Sequence, residues 1–379
     1  MLSYLYMSKK GGSAVYTVDP SWQYGADQEK RSIRKNAERV GFVLLLAVGL
    51  QVLAVFADVL VGMLASGFQE VAVSVALQDQ EMTAYLLVTM AEYIFYMGVP
   101  VLVGWLLFRK RDVTILPHQK TDASLGIGLI LLGLGMMVIA NIIGSYILTM
   151  LESIGISAGD MPEMQDGTVP TLLLNIVAVG ILPGILEELL FRGVVLQGLR
   201  PAGDGVALVF SSLMFGLMHG TLYQIPFAFI LGLVFGYIVL KTGNILWTML
   251  LHVINNTLSV LMEFWLWNVS DEETGKWYLL FFAVEALLGM IGAAVLMMRD
   301  RTRVPPIGDR VSSYLTKRQR RRAAYSAVTV IIFIVIMGLV TLTNVQLAGA
   351  TDFDDPNETP AFETEDEQQS AAVFAEVMR

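Results

Sequence analysis

The sequence predicts an all-α protein, a polytopic membrane helix bundle with about nine transmembrane helices. Hydrophobic residues make up 55% of the 379 residues, charged residues make up only 16%, and the mean hydropathy is +0.61. Soluble globular chains contain about 25% charged residues, so this composition indicates a membrane protein. About twenty apolar residues are needed to cross the roughly 30 Å of hydrocarbon in a bilayer. The candidate spans lie at 41–65, 83–108, 124–151, 170–199, 205–219, 223–240, 243–267, 278–298 and 323–348.

The distribution of Lys and Arg predicts how these spans are oriented. Nearly all of the 25 Lys and Arg residues lie before the first span or in alternate loops, whereas the intervening loops are acidic. Short cytoplasmic loops are enriched in Lys and Arg, so we expect the N-terminus inside and the C-terminus outside. The expected location, which the charge pattern does not determine, is a bacterial cytoplasmic membrane. The chain then divides into a cytoplasmic N-terminal segment (1–40), a membrane domain (41–298), a basic cytoplasmic loop (299–322), a last span (323–348) and an acidic, disordered external tail (349–379).

The residue types that the chain contains restrict its chemistry and its partners. It has no Cys, which excludes disulfides, thiolate metal sites and a Cys nucleophile. Any histidine chemistry is limited to His118, His219 and His252. The basic run Lys317–Arg322 is expected to contact anionic lipid head groups rather than nucleic acid, because basic clusters beside a span normally bind lipid.

Three ionisable residues lie within the fourth predicted span. Placing Glu187, Glu188 and Arg192 inside a bilayer costs free energy, so we interpret them as part of a functional site. Glu188 and Arg192 are spaced i, i+4, which favours an ion pair on one face of the helix. Glu187 points about 100° away and is left available for chemistry. The alternative is a buried charge network that only fixes helix packing.

Two further polar clusters lie on the fifth and seventh spans. Phe215 and His219 share a helix face at i, i+4, so the ring can support the imidazole. His252 and Asn256 have the same spacing on the seventh span. Two carboxylates, two His and an Asn are the groups that polarise water and stabilise an oxyanion, so hydrolysis is the predicted chemistry. No Gly-x-Ser-x-Gly elbow supports a Ser nucleophile.

The three clusters together resemble a known family. Glu-Glu-x-x-x-Arg, Phe-x-x-x-His and His-x-x-x-Asn, in this order, resemble the motifs of the CAAX protease and bacteriocin-processing family over roughly residues 170–260. That family includes the type 2 CAAX prenyl endopeptidases and bacterial membrane proteins once grouped as abortive-infection proteins. The resemblance implies an intramembrane endopeptidase that acts on a membrane-associated peptide or protein, with its catalytic core on the fourth, fifth and seventh spans.

The resemblance also implies a role for each motif residue. Glu187 would be the general base and His219 would help to bind the water. His252 and Asn256 would form the oxyanion site, while Glu188 and Arg192 would organise Glu187.

The use of a metal is an open question at the level of the sequence, since members of the family have been described both as metalloproteases and as glutamate-dependent proteases. Glu187, His219 and His252 could supply ligands for zinc. No His-Glu-x-x-His helix is present, so a metal-free mechanism without a cofactor is favoured.

Two other classes of function remain open. A catalytically idle relative could act as a membrane binding, immunity or signalling protein. A transporter is the weaker alternative, because no inverted repeat is visible in the sequence.

Overall fold

The structure of the chain is a computed structural model that describes residues 5–10, 13–18, 20–65, 82–109, 113–157, 167–298 and 314–347. The predicted acidic tail at 349–379 and residues 299–313 of the predicted basic loop lie outside the described residues. Within the described ranges the chain is a bundle of ten helices with two short antiparallel strand pairs, β1 (Leu5–Lys10) with β2 (Ser13–Val18) and β3 (Ile156–Ser157) with β4 (Gln346–Leu347). The helices are α1 (Pro20–Ala65), α2 (Met82–Phe108), α3 (Ala123–Glu152), α4 (Val169–Ala202), α5 (Asp204–Met218), α6 (Gln224–Thr242), α7 (Leu246–Leu266), α8 (Asp271–Met297), α9 (Lys317–Tyr325) and α10 (Val328–Thr343).

The length and composition of these helices confirm the predicted all-α membrane bundle. In the described part of the chain, seven helices are long and apolar enough to cross a bilayer, and the bent pair of α9 and α10 supplies an eighth candidate. The short fifth span of the prediction corresponds to α5. Its 15 residues are about 22 Å long, less than the roughly 30 Å of hydrocarbon. The number nine therefore stays a prediction.

The predicted last span, 323–348, contains a bend between two helices. α9 and α10 meet at an angle of 63°, because Ala327 has an extended backbone (φ −70°, ψ 118°) that ends the first helix. The carboxylate of Glu38, on α1, accepts hydrogen bonds from the backbone N–H groups of Val328 and Thr329, both at 3.0 Å. These are donors that the start of a helix leaves without an internal partner. Glu38 therefore fixes α10 as a new helix that starts at the bend.

Contacts near the ends of the apolar segments show which of these ends share a side of the bundle. Glu38 of α1 meets the start of α10, and the Gln119 N–H after α2 donates to the Gly243 carbonyl after α6 at 2.9 Å. At the other side, β3 after α3 pairs with β4 after α10. These pairings agree with an alternating up-and-down course of the spans. Which side faces the cytoplasm stays a prediction.

α4 is the irregular and central helix of the bundle. It contains two π-helical turns, Ile176–Ile181 and Leu189–Val195, and residues 190–199 are buried on every face. Pro183 has no N–H to donate to the Val179 carbonyl, and the side chain of Asn256 on α7 donates to that carbonyl instead, at 3.0 Å. The proline break thus creates the acceptor that ties α4 to α7.

Two glycines let α4 and α7 approach closely. A Cβ on Gly180 would lie 2.7 Å from the Thr257 hydroxyl oxygen, and one on Gly184 would lie 2.6 Å from Cγ2 of Val253. Small residues four apart allow this kind of backbone approach between membrane helices. The glutamates one turn after Gly184 are consequently held against His252.

Candidate active site

Glu188 lies in a fully buried cluster of charged groups. Its side chain is 0% exposed and that of Arg192 is 1% exposed, and Arg192 Nη1 is 2.8 Å from Glu188 Oε1. The ion pair predicted from the i, i+4 spacing is therefore present. Nδ1 of His252 lies 3.1 Å from the same carboxylate oxygen. One oxygen of Glu188 thus joins α4 to α7.

The Arg192 guanidinium is held mainly by charge and by aromatic faces. Its contact with Glu188 is short but lacks hydrogen-bond alignment, and within the described residues neither Nη1 nor Nη2 has a hydrogen-bond partner. The guanidinium carbon instead lies 4.3 Å from the ring centre of Phe215 and 4.9 Å from that of Phe235. A desolvated cation over aromatic faces gains about 2 kcal/mol from each favourable contact. These rings offset part of the cost of burying Arg192.

Glu187 has different surroundings from its neighbour. Its side chain is 16% exposed, and it forms part of the wall of a cavity of about 80 Å³. The Tyr93 hydroxyl on α2 donates a 2.7 Å hydrogen bond to Glu187 Oε1. A water molecule needs about 10–15 Å³ of such space, so the cavity can hold a few waters beside this carboxylate.

His219 lies at the end of α5 and lines the same cavity as Glu187. Its Nδ1 is 2.9 Å from the Phe215 carbonyl oxygen. A carbonyl only accepts hydrogen bonds, so this contact assigns the proton to Nδ1 and leaves Nε2 with a free lone pair in the neutral ring. The Phe215 ring meets the imidazole edge-on, with 5.0 Å between ring centres. The supporting contact predicted from the Phe-x-x-x-His spacing is present.

His252 and Asn256 are not among the residues that line the cavity. Nε2 of His252 is 3.8 Å from Glu187 Oε2, so this ring lies between the two glutamates. The Asn256 amide nitrogen donates to the Val179 carbonyl, and its oxygen accepts from Asn255 at 2.9 Å. An amide nitrogen carries two hydrogens, so a second N–H remains for another acceptor.

The remaining histidine, His118, is exposed, and it is paired with Asn244 in the loop between α6 and α7. It is not part of this cluster.

Zinc would need several ligands close together, so the positions of the candidate donors matter. Among the described residues, no group of three or more His, Asp or Glu side chains is arranged to hold a metal ion. Nδ1 of His219 is directed at the Phe215 carbonyl, and Nδ1 of His252 is directed at Glu188. The metal-free mechanism that the sequence favours stays a prediction.

Two residues of this region were missed by the sequence analysis. Tyr93 is 94 positions from its partner Glu187, and only its hydroxyl within an apolar span marks it in the sequence. Phe235 on α6 lies 4.9 Å from the His252 ring centre and also faces Arg192. No local pattern distinguishes Phe235 from the other apolar residues of its span.

One comparison with known proteins covers the segment that contains this cluster. Residues 169–258 match the family model described as type II CAAX prenyl endopeptidase Rce1-like. No curated protein and no solved structure matches the chain. The matched segment contains all seven motif residues, from Glu187 to Asn256. In this segment the chain is similar to the type II CAAX prenyl endopeptidases, and the match supports the resemblance to the CAAX protease and bacteriocin-processing family.

Proposed function

We propose that the chain is an intramembrane endopeptidase that hydrolyses a peptide bond in a membrane-associated protein or peptide. The observation that carries this proposal is the pair of groups on one cavity wall: a partly exposed carboxylate, Glu187, and a histidine, His219, with a free Nε2. The family model that residues 169–258 match describes a family of proteases. The position of both residues on helices of the membrane domain favours a substrate that is delivered through the bilayer.

In this mechanism Glu187 is the general base. Tyr93 holds its Oε1, which leaves Oε2 free to take a proton from water. Nε2 of His219 accepts a hydrogen bond from the same water and orients its oxygen towards the peptide carbonyl carbon. After the attack, the tetrahedral intermediate expels the amine, and Glu187 returns the proton to it. A positioned acid–base group of this kind contributes about 10²–10⁴-fold to the rate.

We assign the oxyanion site to His252 and Asn256. With a proton on both ring nitrogens, His252 donates from Nδ1 to Glu188 and presents Nε2–H near Glu187 Oε2, where the carbonyl oxygen becomes negative. The second N–H of Asn256, on the same face of α7, is the other donor. Such donors act without reorganisation because the surrounding helices hold them in advance.

The roles of Glu188 and Arg192 are to hold the charges around the base. Both side chains are excluded from water and neither lines the cavity, so they do not exchange protons with the substrate. No step of this mechanism requires a metal ion or another cofactor. The chain acts from an integral membrane position, with the N-terminus and the loops rich in Lys and Arg on the cytoplasmic side.

The test compares the membrane peptidomes of cells that produce the unchanged chain, Glu187→Gln or Glu285→Gln. Glu285 is a matched control: it is a buried glutamate of a membrane helix, α8, and it lies outside the cavity. Cleavage products should appear with the unchanged chain and with Glu285→Gln, and disappear with Glu187→Gln. The products would also identify the substrate.

One set of results would contradict the proposed protease function. If Glu187→Gln, His219→Ala and His252→Ala all keep the full cellular activity of the chain, the protease function is wrong. An idle binding, immunity or signalling role then follows.

A further inference from the structure

The short helix α9 presents a row of cations at the edge of the membrane domain. Arg318, Arg321 and Arg322 are exposed, and so is Lys317 at the start of the helix. We propose that this face of α9 is a binding surface for the head groups of anionic phospholipids. The proposal does not depend on proteolysis by the chain.

The two faces of α9 have opposite characters. Arg320, Ala323 and Ala324 are buried, and they share one face at i, i+3 and i+4. This face packs on α1 and on the turn that ends α4. The opposite face, with the same spacing, carries Arg318, Arg321 and Arg322, followed by Tyr325. The packing of α9 on the bundle therefore turns its cations outward.

The bend before α10 places these cations at the depth of lipid head groups. α9 has nine residues and is about 13 Å long. At 63° to α10, it rises only about 6 Å along the direction of that span. Each head-group layer of a bilayer is about 5–8 Å thick. A straight continuation of α10 would carry Lys317 beyond this layer, whereas the bent helix keeps the whole row within it.

α10, which follows the bend, presents apolar side chains on its surface. Val328, Ile332 and Val335 share one face of α10 at i, i+4 and i+7, and they are exposed at 43–54%. Tyr325 lies between the cation row and these side chains in the sequence, and it stacks on Phe210 with 4.5 Å between ring centres. A helix that runs from the head groups into the hydrocarbon typically carries cations first, then an aromatic ring and then aliphatic side chains.

This surface is built in advance of any ligand. Thr316 and Gln319 form a reciprocal capping box at the start of α9, and Glu38 caps the helix that follows it. α9 itself contains no acidic residue. On α1, Glu29 accepts from the Tyr314 N–H at 2.8 Å, while Glu38 is engaged by α10. The helix that carries these side chains is already ordered, so binding of a ligand does not have to order it.

The size and the surroundings of this row of cations fit a phospholipid rather than a nucleic acid or an acidic protein. The cations form a single short row that begins where the lipid-facing apolar surface ends. A phospholipid supplies a phosphate and acyl chains to both parts at once.

The experiment measures the binding of phosphatidylglycerol and phosphatidylcholine to the full chain in detergent micelles, by native mass spectrometry. The variant Arg321→Gln/Arg322→Gln removes two cations of the row. The control Lys120→Gln/Lys276→Gln removes two exposed cations that lie outside α1 and α9. Each cation near a membrane surface contributes about a factor of five to binding. We expect the first variant to bind phosphatidylglycerol about thirtyfold more weakly and the control to bind it as the unchanged chain does.

A third variant separates charge from folding. Arg321→Lys/Arg322→Lys keeps both charges and should retain the binding of phosphatidylglycerol. Equal binding of both lipids by the unchanged chain, or equal weakening by the Arg321→Gln/Arg322→Gln variant and the control, would overturn the proposal. So would tighter binding of a twenty-nucleotide single-stranded DNA than of phosphatidylglycerol at physiological salt.

Discussion

Glu187 and Glu188 are neighbours in the chain, yet they belong to two different regions of the molecule. The region around Glu188 is closed: its carboxylate, the Arg192 guanidinium and the rings of Phe215 and Phe235 are packed without access to water. The region around Glu187 is open, with a cavity of about 80 Å³ and a hydroxyl donor, Tyr93. His252 touches both regions, one ring nitrogen towards each carboxylate.

The difference shows how one helix can carry both a fixed charge and a reactive one. Successive residues of a helix are rotated by about 100°, so a single step along α4 passes from the packed side to the cavity side. A buried ion pair gives up hydration and is stable only when its partners are well placed. The closed region meets this condition with Arg192 and His252. The open region leaves its carboxylate room to exchange a proton.

The largest effect that separates the regions is expected from Glu187→Gln. Removal of the base should lower the rate of substrate cleavage by about 10²–10⁴-fold. The free energy of unfolding should change little, because the side chain borders a cavity and keeps its shape. Cleavage of a substrate identified in the peptidome comparison measures the first quantity, and denaturation followed by Trp fluorescence measures the second. A rate within threefold of the unchanged chain would remove Glu187 from the role of base.

Glu188→Gln should produce the opposite pattern. It leaves the guanidinium of Arg192 buried without a counter-charge, which costs about 3–5 kcal/mol in free energy of unfolding. The same denaturation experiment measures this loss. The matched control is the double variant Glu188→Gln/Arg192→Met, which removes both charges and should recover much of the stability. If Glu188→Gln is as stable as Glu187→Gln, the two regions do not differ as described.

The sequence predicted those parts of the site that depend on local helix geometry. The i, i+4 spacing of Glu188 and Arg192 predicted their contact, and the same spacing predicted the contact of Phe215 with His219. Helical periodicity sets which residues share a face, whatever the rest of the fold does. The membrane class and the approximate extents of most spans followed in the same way from apolar runs.

The sequence could not predict contacts that are set by distant residues. The break at Ala327 follows from capping by Glu38, about 290 positions away, and an apolar run that continues past the break conceals it. The first π-helical turn of α4, Ile176–Ile181, packs against α7, and no residue pattern marks the limits of either π-helical turn. The second role of Asn256, as a donor to Val179, became visible only with the partner helix in place.

Asn256→Ala tests whether this residue belongs to the open region as well as to the packing of α4. Loss of one oxyanion donor should lower the cleavage rate by about 10²–10³-fold. The lost hydrogen bond to Val179 should cost only about 1 kcal/mol in free energy of unfolding. Asn255→Ala is the control, and it should show a loss of stability of that size without the loss of rate. If the two variants behave alike, Asn256 serves only to anchor α4 to α7.

Tyr93→Phe should give the smallest effect, because it removes a group that positions the base and leaves the base itself in place. Without the 2.7 Å hydrogen bond, Oε1 of Glu187 is free to turn, and we expect kcat to fall about tenfold with little change in KM. Tyr96→Phe is the matched control: it removes a hydroxyl from the wall of the same cavity, but among the described contacts that hydroxyl does not bond to Glu187. The kinetics of both variants would be measured on one substrate. An equal fall in kcat for both would assign the effect to the polarity of the cavity, while a fall confined to Tyr93→Phe would show that α2 orients the carboxylate of α4.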